Sequence, residues 1–233
     1  NAKVADEIYS FRNNQYNTFF DLLYDLKKKT SLNARQLKIL VELDFFDEFG
    51  DANYLLYLIT LYNEFAGKVQ IKKDKLDSLN VDYSLVRPFA GNETEKMFTK
   101  VRCRDLLNEL ARKQGNFKRR TLKDKVIAQI EHLGYIDIAD ARYSRMLVVV
   151  SVDTKYSPKL KVYSLKNGTM LDCKINKLTF RKKKLKKHDI ILVTGQIKKP
   201  KVKRTTEETY EVIPGAFEIW LTKYEKVGEH MSG

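Results

Sequence analysis

The sequence has few of the features that mark secreted or membrane proteins. Its 233 residues include two cysteines, Cys103 and Cys173, which is too few for a disulfide scaffold and favours a reducing compartment. We expect both to be inert packing residues, one on a helix and one on a buried strand face. No run approaches eighteen apolar residues, and no charged stretch followed by an apolar one opens the chain. These absences predict a cytoplasmic protein without a membrane partner.

What the sequence does contain is positive charge, and that charge is concentrated towards one end. The net charge is +14. Residues 141–233 hold 21 lysines and arginines against 9 acidic residues, whereas residues 1–140 hold 23 against 21. Such asymmetry is typical of a surface that binds phosphates, and the absence of a basic amphipathic helix there favours nucleic acid over membrane. The alternative is that the lysines only keep the protein soluble.

The first third of the chain has the periodicity of packed helices. Apolar residues recur at helical spacing over residues 4–29, with Thr18 as a cap and Asp21 three positions later. Two helices are expected there, separated by a polar break. A further helix is expected to begin near Asn33, and another to cover Asn53–Phe65. A chain that starts with Asn1 rather than Met is expected to be a piece of something longer.

Residues Arg12–Gly50 resemble a known family. The segments Tyr-Asn-Thr-Phe-Phe-Asp-Leu-Leu and Leu-Asn-Ala-Arg-Gln-Leu-Lys-Ile-Leu-Val-Glu-Leu-Asp-Phe-Phe-Asp-Glu-Phe-Gly are similar to the tandem helix-hairpin-helix region of bacterial DNA polymerase III alpha subunits. The resemblance implies a nucleotidyltransferase parent whose hairpin amides bind duplex DNA. It also implies a sliding-clamp-binding peptide near Met97 and Phe98. No Asp-x-Asp occurs in the chain, so we expect no catalytic residue, metal or cofactor here.

The hairpin departs from the family pattern. Asp44-Phe45-Phe46 stands where the family usually has Gly-Ala-Phe, and an aspartate near a phosphate is unfavourable. The alternative is that these residues serve only the core of a helical domain. An acidic group of Asp44, Asp47, Glu48 and Asp51 invites comparison with metal sites, but its spacing matches neither an EF-hand loop nor a paired-aspartate centre.

Residues 67–140 are predicted to be a connector with two capped helices. Asn92, followed three residues later by Glu95, is expected to begin one of them, with Met97 and Phe98 either in its core or in the clamp-binding peptide. Thr121 begins the other in a capping box, and Gly134 ends it.

The strongest local signal lies in residues 158–175, where Asn167-Gly168 separates two alternating runs. This pair predicts a two-residue hairpin turn. In that register Leu160 and Val162 lie on a core face, whereas Lys161 would lie directly opposite Lys174 beside Tyr163. Two facing lysines repel each other, so the exposed face is predicted to attract an anion.

Strand periodicity continues after this hairpin, and the order of strands fits a five-stranded OB-fold, which also agrees with the family's layout. OB-folds bind single strands through strands two and three and through the loops between strands one and two and between strands four and five. Trp220 is expected in the core or the wall of the barrel and not as a stacking platform. The lysine block at residues 181–187 is expected either to be a solvated face or to bind flanking duplex. The predicted nucleic-acid-binding residues are Lys155, Tyr156, Lys161, Tyr163, Lys174, Lys198, Lys199, Lys201, Lys203 and Arg204.

The sequence thus predicts an α+β protein, with an all-α helix-hairpin-helix-like region before an OB-fold β-barrel. The predicted boundaries are a helical domain at 1–66, a connector at 67–140, the OB-fold at 141–227 and a tail without a role at 228–233. We expect a monomer that binds single-stranded DNA, and also duplex DNA, for a replicative polymerase. Two alternatives remain open, namely a stand-alone single-strand or RNA-binding module and a protein-interaction adaptor.

Overall fold

The computed structural model describes residues 2–113, 117–204 and 209–227, without the side chain of Arg204. The chain divides into two compact units, Asn1–Arg120 and Thr121–Gly233. The fold is α+β, as predicted, and contains a mixed five-stranded sheet. None of the helices in the described ranges has both the length and the apolar character needed to cross a membrane. The predicted tail at 228–233 lies outside the described residues.

The first unit consists of helices around one apolar core, with a small sheet inserted. Its helices are α1 (Ala2–Tyr9), α2 (Phe19–Lys29), α3 (Ala34–Glu42), α4 (Ala52–Phe65), α5 (Lys73–Ser78), α6 (Tyr83–Val86) and α7 (Cys103–Arg112), with 3-10 turns at Asp47–Phe49 and Arg87–Phe89. Its strands are β1 (Gln70–Lys72), β2 (Asn92–Glu93) and β3 (Met97–Thr99), and they pair in the order β1-β3-β2.

Two predicted helix starts in this unit are confirmed. The Thr18 side chain accepts a hydrogen bond from the Asp21 amide, and Asn33 forms a capping box with Gln36. Each of these caps satisfies a backbone amide that has no partner within its helix.

The predicted helix start at Asn92 is wrong. Asn92 lies in β2, and the next helix begins only at Cys103. The physical reason is a distant pairing, because Phe98 on β3 lies opposite Ile71 on β1 and both side chains are buried in the helical core. Residues 67–113 therefore belong to the same unit as the first helices, and are not the connector that was expected.

The second unit begins with α8 (Leu122–Leu133), where the predicted capping box of Thr121 and Asp124 and the left-handed Gly134 are both confirmed. A 3-10 turn at Ala141–Tyr143 follows. The strands are β4 (Met146–Asp153), β5 (Lys159–Ser164), β6 (Met170–Ile175), β7 (Ile190–Arg204) and β8 (Tyr210–Lys226), and α9 (Lys177–Lys182) lies between β6 and β7.

The five strands form a sheet that closes on itself in the order β4-β5-β6-β8-β7, since β4 also pairs with β7. The pairing of β6 with β8 is parallel, and the other pairings are antiparallel. Residues 121–140 belong to this unit because α8 packs Leu122 and Val126 against the outside of the sheet. The interior is a separate apolar cluster that includes Val149, Val162 and Ile191.

The Asn167-Gly168 hairpin forms, but in a register shifted by two residues. Ser164 donates its amide proton to the Thr169 carbonyl, and Gly168 donates to the Ser164 carbonyl, so four residues form the loop. Gly168 has φ +72°, which glycine tolerates best. A two-residue shift keeps every side chain on its predicted face. It does change the cross-strand partners.

The segment expected to be the loop between strands four and five is extended instead. Residues 198–204 continue β7, and the two expected final runs form one strand, β8. The part of β8 that precedes Ile219, and the part of β7 paired with it, have no third strand beside them among the described residues. We call this two-stranded segment, residues 198–204 and 210–217, the ribbon.

Candidate nucleic-acid interface

Strand alternation determines which side chains lie outside the closed sheet. Cys173 on β6 lies beside Ile219 on β8, and both side chains belong to the interior side. The neighbouring pair, Lys174 and Trp220, therefore points outwards. The pairings continue this row across four strands, from Lys159 through Lys174 and Trp220 to Ile197. We call the exterior of β5, β6, β8 and β7 around this row the outer face.

Trp220 lies at the centre of the outer face between two cations. The Lys199 Nζ atom is 4.7 Å from the centroid of its ring, and the Lys174 Nζ atom is 5.6 Å away. The indole is half-buried, and its Nε1–H donates to Glu218 at 3.1 Å. The ring is therefore held in one orientation, with part of its surface accessible. In single-strand-binding proteins, bases stack on aromatic rings of this kind while neighbouring cations neutralise the phosphates.

Glu218 organises the charge around this ring. Burial of the carboxylate acts to raise its pKa, but hydrogen bonds from Lys174 and Trp220 outweigh that effect and hold the pKa below its usual value. Glu218 is therefore ionised at neutral pH and forms an ion pair with Lys174. A negative charge in the middle of the face disfavours phosphates there and leaves them to the surrounding lysines.

The ribbon extends the positive charge of the outer face. Lys199 lies opposite Glu218, and Lys201 is near enough to this carboxylate to help lower its pKa. Lys203 follows two positions further along β7, beyond a shift in the register between Pro200 and Val202. Lys203 is 3.7 Å from Glu211 across the ribbon, and both side chains are more than half exposed, so this pair contributes little. Lys199 and Lys201 have no ion pair among the described residues. The side chain of Arg204, also predicted to bind, lies outside the described residues.

The loop between β4 and β5 carries the predicted Lys155 and Tyr156. Asp153 accepts the Lys155 amide proton at 2.9 Å and so shapes the turn. Tyr156 is 69% exposed, with the Lys155 Nζ atom 5.7 Å from its ring centroid. This tyrosine is available for stacking.

The prediction for Tyr163 is wrong. Its side chain is only 8% exposed and packs in the cluster that joins α8 to the sheet, with Val126 and Leu165. Burial also raises the pKa of its hydroxyl. Alternation correctly places Tyr163 on the outer side of the sheet, but α8 covers that part of it. No base can stack on this ring.

The register shift also changes the predicted lysine contacts. Lys161 lies opposite Asp172, and not opposite Lys174 as expected. Lys198 lies opposite Ile219, which places it on the other side of the ribbon from Lys199. The outer face therefore brings Lys161, Lys174, Lys199 and Lys201 together. Lys203 lies further along the ribbon beside Glu211, and Lys198 belongs to a different surface.

In the first unit, an arginine neutralises the charge of Asp44 in the hairpin between α3 and α4. Asp44 has φ +60°, and its carboxylate lies 3.8 Å from the guanidinium of Arg120, which is 7% exposed. Arg120 also donates to the Glu42 carbonyl and, through its amide, to Asp51. Two residues of the acidic group, Asp44 and Asp51, thus have Arg120 as a partner. Within the described ranges, no three His, Cys, Asp or Glu side chains are placed to hold a metal ion.

The predicted clamp-binding pair is not displayed for a partner. Phe98 is fully buried in the core of the first unit, and Met97 is half-buried on β3. A docking peptide must offer its apolar side chains to a partner, and Phe98 already contributes its side chain to the fold. This prediction is wrong for Phe98. Both cysteines, in contrast, are free and buried on α7 and β6, as expected.

Comparisons of the chain with protein-family models, curated proteins and solved structures found no match. The likeness to the polymerase family therefore remains a prediction from the residues of the first unit. The outer face depends on no relative for its interpretation.

Proposed function

We propose that the second unit is an OB-fold that binds single-stranded nucleic acid across its outer face. The strand order β4-β5-β6-β8-β7, the parallel pairing of β6 with β8 and the helix between β6 and β7 support this fold. The observation that carries the function is Trp220 held between Lys174 and Lys199. One base stacks on the indole, and neighbouring phosphates lie over the lysines.

The charge distribution favours a single strand over a duplex on this face. Stacking on Trp220 requires an unpaired base, because duplex bases are already stacked within the helix. Lys199, Lys201 and Lys203 form a line along β7 that follows one sugar–phosphate backbone. None of these contacts reads sequence, so we expect little base preference on the outer face.

We further propose, from the resemblance of Arg12–Gly50, that the chain is the DNA-binding part of a replicative polymerase of the DNA polymerase III alpha type. In that arrangement the helical unit lies near duplex DNA and the second unit holds the template strand. Arg120 supports this proposal, because it offsets the Asp44 carboxylate that would otherwise repel a phosphate at the hairpin.

The test of the single-strand proposal is a salt titration with matched variants. In one variant Lys199, Lys201 and Lys203 are replaced by Gln. In the control, Lys182, Lys183 and Lys184, which are exposed at the end of α9, are replaced by Gln. Both variants lose the same charge. Binding of labelled oligothymidine is followed by anisotropy from low to moderate salt.

Each phosphate contact on a single strand contributes about 0.7 to the slope of log affinity against log salt. The ribbon variant should therefore lose about 2 from the slope, and the control should lose much less. Equal losses in the two variants would show general charge attraction. If the unmodified chain fails to bind oligothymidine at low salt, the proposal is wrong.

A further inference from the structure

The closed sheet has one filled end and one open end. Phe180 and Leu185 pack against the interior cluster at the first, where the Tyr224 hydroxyl donates to the Lys183 carbonyl at 2.6 Å. The other end is a cavity of about 380 Å³. Its lining residues are Arg145, Leu147, Leu171, Cys173, Val193, Thr194, Gly195, Gln196 and Ile219.

The floor of this cavity is apolar. Leu147, Val193 and Cys173 are buried, and Leu171 and Ile219 are half-buried at its edge. Burial raises the pKa of the Cys173 thiol to about 11, and nearby Asp172 acts in the same direction. The thiol is therefore neutral and contributes to the floor as a small apolar group.

The rim of the cavity is polar and lacks partners of its own. Arg145, Thr194 and Gln196 are exposed, and their side chains form no hydrogen bond or ion pair within the part of the chain that the structure describes. Together they offer a guanidinium, a hydroxyl and an amide at one opening. Lys198 is not a lining residue, but it lies opposite Ile219, two positions after Gln196 and on the same side of the sheet, so it places a second cation beside this opening.

The backbone of β7 is irregular at this rim. The register of β7 against β8 shifts between Val193 and Gly195 and again before Gln196, which leaves Thr194 unpaired in the ladder. A Cβ atom at Gly195 would lie 2.6 Å from the Thr222 hydroxyl oxygen, so glycine permits the close approach. Bulges of this kind are frequent beside binding sites, where they redirect side chains.

We propose that this open end binds one nucleobase, with the attached phosphate neutralised by Arg145 and Lys198. A base has apolar faces and a polar edge, which match the aliphatic floor and the rim of Thr194 and Gln196. A volume near 380 Å³ is at the small end of the usual range for ligand pockets, about 300–1,000 Å³, and suits one nucleotide. The two cations complement its phosphate.

The occupant is either a free nucleotide or one unstacked nucleotide of the strand on the outer face. The second case rests on the proposed function, whereas the first does not. Phe217, two residues before Ile219 on the same side of β8 and 63% exposed, is placed to stack the next base of a strand. A free nucleotide and an unstacked nucleotide of a strand offer the same base and phosphate to the cavity, and the choice of probe distinguishes them.

The experiment uses the full chain with labelled Ile, Leu and Val methyl groups. The probes are adenosine 5′-monophosphate, ribose 5-phosphate, and oligothymidine containing a single adenine. We expect the monophosphate, the adenine-containing strand or both to shift the methyl signals of Leu147, Leu171 and Ile219. Ribose 5-phosphate, which lacks the base, should not shift them.

Three variants test the assignment. Leu171→Phe partly fills the cavity, so the affinity measured from the methyl shifts should fall at least tenfold. Arg145→Asn removes the charge but keeps a residue that tolerates φ +65°, and Gln196→Ala removes the rim amide. Arg145 and Gln196 are exposed, so these two variants should fold and lower the same affinity three- to tenfold even if Leu171→Phe fails to fold.

The outcomes are distinct. A shift with the monophosphate identifies a free nucleotide as a sufficient ligand, and a shift with the strand alone identifies an unstacked base. If oligothymidine binds with a salt-dependent affinity but no probe shifts these methyl signals, the pocket proposal is overturned and the proposed function stands. If no strand binds at all, the proposed function fails independently of the monophosphate result.

Discussion

Replacing Trp220 with Ala is the sharpest test of the outer face. The indole lies outside the interior core and is held by Glu218 and by two lysines, whose Nζ atoms are 4.7 Å and 5.6 Å from its ring centroid. Removing one stacked base typically costs about 1–3 kcal/mol. Because about 1.4 kcal/mol corresponds to tenfold, affinity for a single strand should fall roughly 5- to 140-fold.

The assay compares oligothymidine with a duplex hairpin of matched length, both by fluorescence anisotropy at fixed salt. Duplex affinity should change less than single-strand affinity, because paired bases cannot stack on Trp220. Trp220→Phe keeps an aromatic face and should recover most of the loss. The matched control is Tyr163→Phe, which alters a residue that is 8% exposed and should leave both affinities unchanged.

Two results would refute this reasoning. Equal losses for single strand and duplex would mean that the variant weakens only general attraction. Unchanged single-strand affinity in Trp220→Ala would mean that no base stacks at the centre of the outer face. Thermal unfolding of each variant is measured alongside to check that the fold is intact. We expect it to be, because the Glu218–Lys174 ion pair should survive the substitution.

Three further predictions concern the first unit, and urea or thermal unfolding checks each of them. Arg120→Met leaves Asp44 and the Glu42 carbonyl without this donor and should cost about 1.5–3 kcal/mol; Met at the exposed neighbour Arg119 should cost almost nothing, and equal costs would contradict the role of Arg120. Phe98→Ala should cost about 3–5 kcal/mol, because Phe98 is fully buried; unchanged stability would restore its candidacy as a docking residue. Hydrogen bonds from Arg87 and then Lys73 lower the pKa of Glu93 from 4.5 to about 2, so its stabilising contribution is complete above pH 4.5 and is lost as the pH falls through about 2. Glu93→Gln should therefore be less stable than the unmodified chain at pH 6, with the difference shrinking between pH 4.5 and 2; a difference independent of pH would contradict this.

Local signals in the sequence were sufficient for three of the helix starts. The caps at Thr18, Asn33 and Thr121 each depend on residues within three positions, so each cap can form without a distant contact. Asn92 carries a similar signal, yet it lies in a strand. There the pairing of Phe98 with Ile71 joins residues far apart in the chain, and burial of both side chains outweighs a capping preference.

The hairpin shows which part of a local signal is reliable. Asn167-Gly168 correctly marks the turn, and alternation correctly assigns Leu160 and Val162 to the core. The number of loop residues was not predictable, because two- and four-residue loops differ by an even shift that leaves both faces unchanged. The expected repulsion of Lys161 by Lys174 depended on that number, and Lys161 lies opposite Asp172 instead.

The aromatic residue at the centre of the outer face is Trp220 and not the predicted Tyr163, and this difference has a structural cause. Alternation assigns a side chain to one side of a sheet, but it does not say whether another element covers that side. Tyr163 is on the outer side beneath α8, and α8 is separated from it by some thirty residues of chain. The parallel pairing of β6 with β8 places Trp220 beside Lys174. Parallel strands are not joined by a short turn, so no turn motif in the sequence predicts this pairing. The proposed binding face on the closed sheet is therefore defined by which parts of the strands α8 leaves uncovered, and here those are β6, β8, the extension of β7 and the part of β5 that carries the exposed Lys159 and Lys161.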